Sequence, residues 1–279
     1  MKTGILFAAA VVGDDAGASL VANINRLAAR RFPGVDVRWS AMQHPSRDAM
    51  RAVNRPPFLP QALGRMRRDG FTHVAVQPLQ VVGGSEFERL RATVARQPIA
   101  RSRFPRIAVG APLLASGADV ERVVRALLAG AAPLRKRGAA VIALGHGSAA
   151  SAAGLAYLAA AWMLGFLDRL AFLGCLNGPP GLDAVLRQCK AARVKRALLL
   201  PFTTAAGSTL RNALAATGPG SWVAALAAEG IVGTPVPRGL VENDDVAAVW
   251  LDHAETALKL IQPRPATTKH AKGAKGIPS

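Results

Sequence analysis

Cysteine is close to missing: the 279 residues hold two, Cys175 and Cys189. Two are too few for a disulfide framework, and they lack the spacing of a metal knuckle. A reducing, cytoplasmic compartment is the expectation. Aromatic residues make up 5% of the chain, so the core has to be filled by small Ala, Leu, Val and Gly side chains. Acidic residues are scarce too: 17 Asp and Glu stand against 35 Lys and Arg, a formal charge of +18. There is no uninterrupted apolar stretch of the length that spans a bilayer. The longest near-continuous run, residues 149–166, is broken by Ser151, Gly154 and Tyr157 and reads as a buried helix. No zinc finger, RNP-like strand or leucine zipper is visible.

The positive excess favours an anionic partner through long-range attraction. Nucleic acid is the generic candidate. However, the arginines are scattered along helical stretches, as at Arg26, Arg30 and Arg31 or Arg65, Arg67 and Arg68. They form no base-reading module, and a small polycarboxylated substrate suits the charge as well.

With 51% hydrophobic residues a substantial core is assured. Strand and helix patterns alternate through most of the chain. Strands are expected at residues 4–12, 35–39, 73–79, 106–109, 140–144, 171–173, 196–201 and 231–235. Helices are expected at 18–31, 60–69, 86–94, 119–128, 149–167, 182–192, 222–228 and 244–260, the last capped by Asn243. Such alternation predicts an α/β fold with mainly parallel sheets. It divides into an amino-terminal half (1–130), a carboxyl-terminal half (131–242), a final helix packing across both (243–261) and a disordered basic tail (262–279). A cleft between the halves is the natural ligand site.

The best chemical clue is His146, in Gly145-His146-Gly147-Ser148 directly after the apolar run Val141 to Leu144. Ligands of parallel α/β sheets sit at the carboxyl ends of strands. Flanking glycines allow a sharp turn and a close approach. A neutral imidazole there can accept a proton or ligate a borderline metal. The other histidines are weaker candidates: His44 sits in a loop, His73 at the wrong end of its strand, His253 on the packed face of the last helix, and His270 in the tail.

Several segments together resemble the anaerobic cobalt chelatases of the CbiK family. These are Phe71 to Gln80, Gly84-Ser85-Glu86-Phe87-Glu88, Val109 to Ser116, Leu144 to Gly147, Leu200-Pro201-Phe202 with Gly207, and Gly220-Ser221-Trp222. The likeness runs from about Met1 to Leu260. It implies two flavodoxin-like halves with a macrocycle between them. The implied activity is insertion of a divalent metal, Co2+ or else Ni2+ or Fe2+, into sirohydrochlorin for cobalamin synthesis. The metal is then a substrate, and no organic cofactor is implied. By the resemblance His146 is metal ligand and base, and Glu86 a second contributor to metal and catalysis. Gln80, Gly84, Asn177, Gly207 and Thr209 are contacts to the macrocycle. Gly83 and Ser208 shape the rim, and a homo-oligomer is compatible with the pattern.

This chain departs from the family's ligand pattern. The second-domain glutamate maps onto Asn177 or close to it, the second histidine onto Thr209, and the first-domain histidine onto Gln80. Ala8 to Val12 replaces a polar loop. Amides and hydroxyls supply neither the charge nor the basic lone pair of a firm divalent site. Cys175 is a nearby soft donor, although a buried inert thiol is the simpler account. Two functions therefore stand: a cobaltochelatase-like lyase, and a noncatalytic protein that binds a tetrapyrrole or metallotetrapyrrole with the same fold.

Overall fold

The computed structural model describes residues 1–10, 15–42, 56–96, 104, 106–148, 152–214 and 221–262. Val11, Val12, His44, Gly220 and the tail from residue 263 with His270 lie outside the described residues.

The first half comprises β1 (Thr3–Ala9), α1 (Asp15–Arg31), β2 (Asp36–Ala41), α2 (Leu59–Arg68), β3 (His73–Pro78), α3 (Ser85–Ala95), β4 (Arg106–Val109) and α4 (Gly117–Ala131). Its strands form a parallel sheet ordered β2-β1-β3-β4. A short turn over Ala132–Leu134 leads to β5 (Ala140–Gly147), α5 (Ala152–Leu167), β6 (Ala171–Asn177), α6 (Leu182–Ala191), β7 (Arg196–Pro201), α7 (Ser208–Leu214), α8 (Trp222–Ala228) and β8 (Val232–Pro235). This second sheet is also parallel and ordered β6-β5-β7-β8, so the two halves repeat one topology. The chain closes with α9 (Asp244–Ile261).

The continuous apolar runs of β1 and β5 follow from this layout, because a central parallel strand is covered on both faces. Ile5 of β1 pairs with Val37 on one side and Ala75 on the other. Alternate residues then supply two layers. Leu6 and Ala8 pack with Leu63, Met66 and Phe104, while Ile5 and Phe7 join a larger core. That larger core is shared by the halves, since it also holds Val141, Ala143, Tyr157 and Leu164.

Helix α9 returns from the second half to the first sheet, packing on β3, β4, α1 and α4. Val246, Val249, Trp250 and Ala254 on its inner face are fully buried. Asn243 caps it as the sequence implies, its side-chain oxygen accepting from the amides of Asp245 and Val246. His253 is tied down between the Ala111 carbonyl and Asp119.

Helix α5 departs from expectation. It is buried along one side only, through Ala153, Tyr157, Ala160 and Leu164, while Leu155, Leu158, Trp162 and Phe166 are exposed. An all-apolar helix in the middle of a chain normally implies burial all round. Here one flank meets α4 and β6, and β6 is the edge of its sheet, so among the described residues no further helix covers the outer side.

Candidate functional site

In each sheet the order reverses around the first strand: the chain steps from β1 to β2 on one side and to β3 on the other, and likewise from β5 to β6 and β7. The crevice beyond the carboxyl ends at such a reversal is where open α/β sheets bind ligands. The two crevices face each other. One cavity of about 400 Å³ is lined by Ala10 after β1, the Gln80 to Glu86 segment after β3, His146 to Ser148 at the end of β5, and Thr203 and Thr204 after β7, with Ala153 and Tyr157 of α5 closing a side. That volume lies within the ordinary span of ligand pockets.

The walls are fastened. Trp250 of α9 donates its indole N–H to the Gln80 carbonyl at 3.1 Å, and the Leu113 amide donates to the same oxygen at 2.9 Å. The Thr204 hydroxyl, from the second half, donates to the Leu79 carbonyl of the first.

His146 lies one residue before the end of β5 and is exposed to the cavity. Gly145 leaves room for the Tyr157 ring, since a Cβ there would stand 2.6 Å from Tyr157 Cε1. Gly147 has a φ of +75°, and a Cβ there would stand 1.9 Å from the Asn177 carbonyl oxygen. The two glycines thus serve contacts within the chain that fix where the imidazole points. Protein crowded around His146 lowers its pKa by desolvation, and the charge of Glu86, across the cavity on α3, partly opposes that. The imidazole is therefore neutral at pH 7, the form that ligates metals. Tyr157 remains a phenol, pushed up to about 12 mainly by burial, with Cys175 adding to the rise and the Gly147 N–H opposing it.

The other candidates separate clearly. Gln80, Gly84 and Glu86 line the cavity with His146. Asn177 stands beside it, its amide nitrogen 3.3 Å from the His146 carbonyl oxygen. Gly207 and Thr209 lie on the turn into α7 and at its start, and neither is part of the lining. Cys175 is buried, and burial pushes its thiol up to about 12, which leaves no thiolate to ligate at neutral pH. His73 opens β3 at the end away from the cavity. Tyr157, Thr203, Thr204, Ser85 and Ser148 belong to the lining without having been singled out from sequence. A sequence signal for two of them is the Thr203-Thr204 pair, one residue beyond the strand that ends at Pro201.

The donor set is thin for a free divalent ion. Among the described residues no three His, Cys, Asp or Glu side chains cluster as a metal site. Among the described residues, His146 and Glu86 are the metal-ligating types in the cavity lining, and no described lysine or arginine accompanies them there. Gln80 adds a buried amide oxygen without a hydrogen-bond partner.

This architecture is that of the class II chelatases. The fold superposes on SirB from Bacillus subtilis, a structure described with Fe3+, at a TM-score of 0.64 with 17% identity, over 92% of this chain and 96% of that one. It also superposes on CbiX, described as the terminal enzyme of siroheme biosynthesis in denitrifying bacteria, at 0.53 with 19% identity, over 92% and 100%. In sequence, the family described as Cobalt chelatase (CbiK) matches residues 12–259, and the chain belongs to that family. It is 34% identical to the sirohydrochlorin cobaltochelatase CbiKC of Nitratidesulfovibrio vulgaris, over 93% of this chain and 92% of the relative. It is 30% identical to the sirohydrochlorin cobaltochelatase of Salmonella typhimurium, over 72% and 74%.

Proposed function

We propose that the chain binds a tetrapyrrole in the cleft between its halves, with His146 as the imidazole, among the described residues, that reaches a metal already seated in the macrocycle. It would do so as a binding or carrier protein of the chelatase family rather than as a lyase with full turnover. One observation carries this proposal: among the described residues, His146 and Glu86 are left without a third strong donor in a cavity otherwise walled by amides, hydroxyls and small apolar groups.

The physical difference between the two functions is the number of protein donors each needs. A metal held by four ring nitrogens needs one more neutral donor, and a neutral imidazole supplies it. Metal insertion needs more: protein donors must hold the free ion, give it up, and see two pyrrole protons removed as the ring nitrogens bind it. Carboxylates and imidazoles do both jobs, whereas the side chains of Asn177, Gln80 and Thr209 do neither. The Gln80 amide oxygen is suited to accept a ring N–H or a protonated side group.

A second function keeps specific support. Glu86 and a neutral His146 on opposite walls are the smallest pair that could deliver Co2+, Ni2+ or Fe2+ to the ring, and the 34% identical relative is named a sirohydrochlorin cobaltochelatase. Absorption titrations with sirohydrochlorin and its cobalt complex, run beside a Co2+ insertion assay, decide between the two. The expected result is saturable binding of both macrocycles and insertion no faster than the uncatalysed rate. His146→Ala should then weaken the cobalt complex by about tenfold or more while changing the metal-free ring by less than about threefold, the signature of one lost ligand bond. Multiple turnovers abolished by His146→Ala would establish the lyase instead. Absence of binding to either macrocycle would remove both.

A further inference from the structure

Helix α5 contains no Asp, Glu, Lys or Arg. Its outward side carries Leu155, Leu158, Trp162 and Phe166, with 66%, 41%, 65% and 70% of their surfaces exposed. The Trp162 and Phe166 rings stack on each other, centroids 5.2 Å apart and planes 13° apart, so they form one rigid ridge. Alongside the ridge runs a groove of about 620 Å³ between α5, the edge strand β6 and α6. Its floor and walls include Ala161, Gly165, Phe172, Leu173, Pro180 and Ala191, with Arg169 and Gln188 also bordering it.

We propose that this face is the interface with a second copy of the same chain, packed about a two-fold axis so that each Trp162–Phe166 ridge fills the groove of the other. A ridge and a matching groove side by side on one surface are what an isologous contact requires, because each patch must complement itself. The area also suffices. Aromatic side chains present roughly 150–250 Å² each, so the four exposed residues offer on the order of 500 Å² per copy. Doubled, and with the groove walls added, this passes the roughly 1,000 Å² that marks a specific contact. The charge distribution points the same way. At +18 per chain, two copies repel over most orientations and can meet closely only where the surface is uncharged, which α5 provides. A bilayer is a poorer occupant. Helices that lie in headgroups carry cations flanking their apolar stripe, α5 has none, and a flat lipid surface would leave the groove unfilled. Trp162 and Phe166 stand outside the lining of the cleft, so this proposal is independent of the tetrapyrrole reading.

Sedimentation velocity on the full chain tests it. The dimer fraction should rise with protein concentration, and rise again between roughly 0.05 and 0.5 M NaCl as screening relaxes the charge repulsion. Trp162→Glu and Phe166→Ser should each weaken dimerisation by about tenfold or more while leaving the far-ultraviolet dichroism unchanged, as expected of central aromatic anchors. Should either variant fail to fold, the native chain still answers. Trp222 and Trp250 are buried and Trp39 is half-buried with its indole N–H bonded to Asn25, so Trp162 is the most exposed indole, and the red side of the emission should move to the blue as concentration rises. A chain that stays monomeric at high salt and high concentration overturns the proposal, as does emission that ignores concentration, or a dimer indifferent to both substitutions. Monomers that instead sediment with phosphatidylglycerol vesicles, and lose this with Trp162→Glu, overturn it in favour of a lipid surface.

Discussion

Two opposed influences set the protonation of His146: desolvation lowers its pKa below the ordinary value of 6.5, and Glu86 pulls it partway back. Ligation needs the neutral ring, so binding through His146 is complete at pH 7 and fails as pH drops through the lowered folded-state value. Glu86→Gln removes the raising influence and leaves the desolvation in place. The acid limb for binding the cobalt complex should therefore move to lower pH, which an absorption titration from neutral pH downward measures directly. A limb that moves to higher pH, or stays where it was, would show that the two side chains are not coupled as described. The sequence places His146 at the carboxyl end of a strand, and β5 ends there, because a Gly-His-Gly at the end of an apolar run is a local signal. The sharp turn expected of the glycines is made by Gly147 at a φ of +75°, but the pair also accommodates Tyr157 and Asn177, partners 12 and 30 residues further along the chain from Gly145 and Gly147. The contact that Thr204 makes across to Leu79 has no sequence signal, since only the packing of the halves creates it.

Among the elements, the central strands and the long amphipathic helices were legible because each carries its own periodicity. Strand β5 runs on to Gly147, beyond the apolar run that marks it in the sequence. Helix α7 went unread: seven residues with Leu210 and Leu214 as its buried contacts are too short to show a helical period. Helix α5 was read as buried from its composition, and composition does not say whether the neighbouring strand is an edge. Helix α9 was well marked, and its cap does more than a cap alone. Besides accepting from Asp245 and Val246, Asn243 donates its amide to the Ala126 carbonyl of α4 at 2.9 Å. Asn243→Ala should accordingly lower stability by about 1–2 kcal/mol, the upper part of the range for a lost helix cap. Urea denaturation measures this as a lower midpoint with an unchanged slope. No change in midpoint would mean that water replaces the Asn243 bonds at little cost.

At the scale of the whole molecule, α9 makes the two halves depend on each other. The chain completes the second sheet and then sends its last helix to cover the first, where Trp250 is fully buried in the core that both halves share. Outside that core the helix is held by arginines from two other helices: Arg31 of α1 and Arg122 of α4 both bond Asp252, at 2.7 and 2.8 Å. Such exposed pairs contribute little individually, so packing carries the attachment. Trp250→Ala removes a large aromatic from a site with no solvent access, which costs about 3–5 kcal/mol out of a typical total of about 5–15 kcal/mol. It also deletes the indole N–H that holds the Gln80 carbonyl at the cleft wall. Two effects should therefore appear together: a large drop in the urea midpoint, and weaker tetrapyrrole binding under conditions where the variant is still folded. Each sheet keeps one apolar layer of its own, but the largest core is shared by both halves, so unfolding should remain one transition, with tryptophan emission and far-ultraviolet dichroism changing at the same urea concentration. Two separated transitions, with the second half surviving the first, would show that the halves fold independently and that α9 belongs to one of them alone.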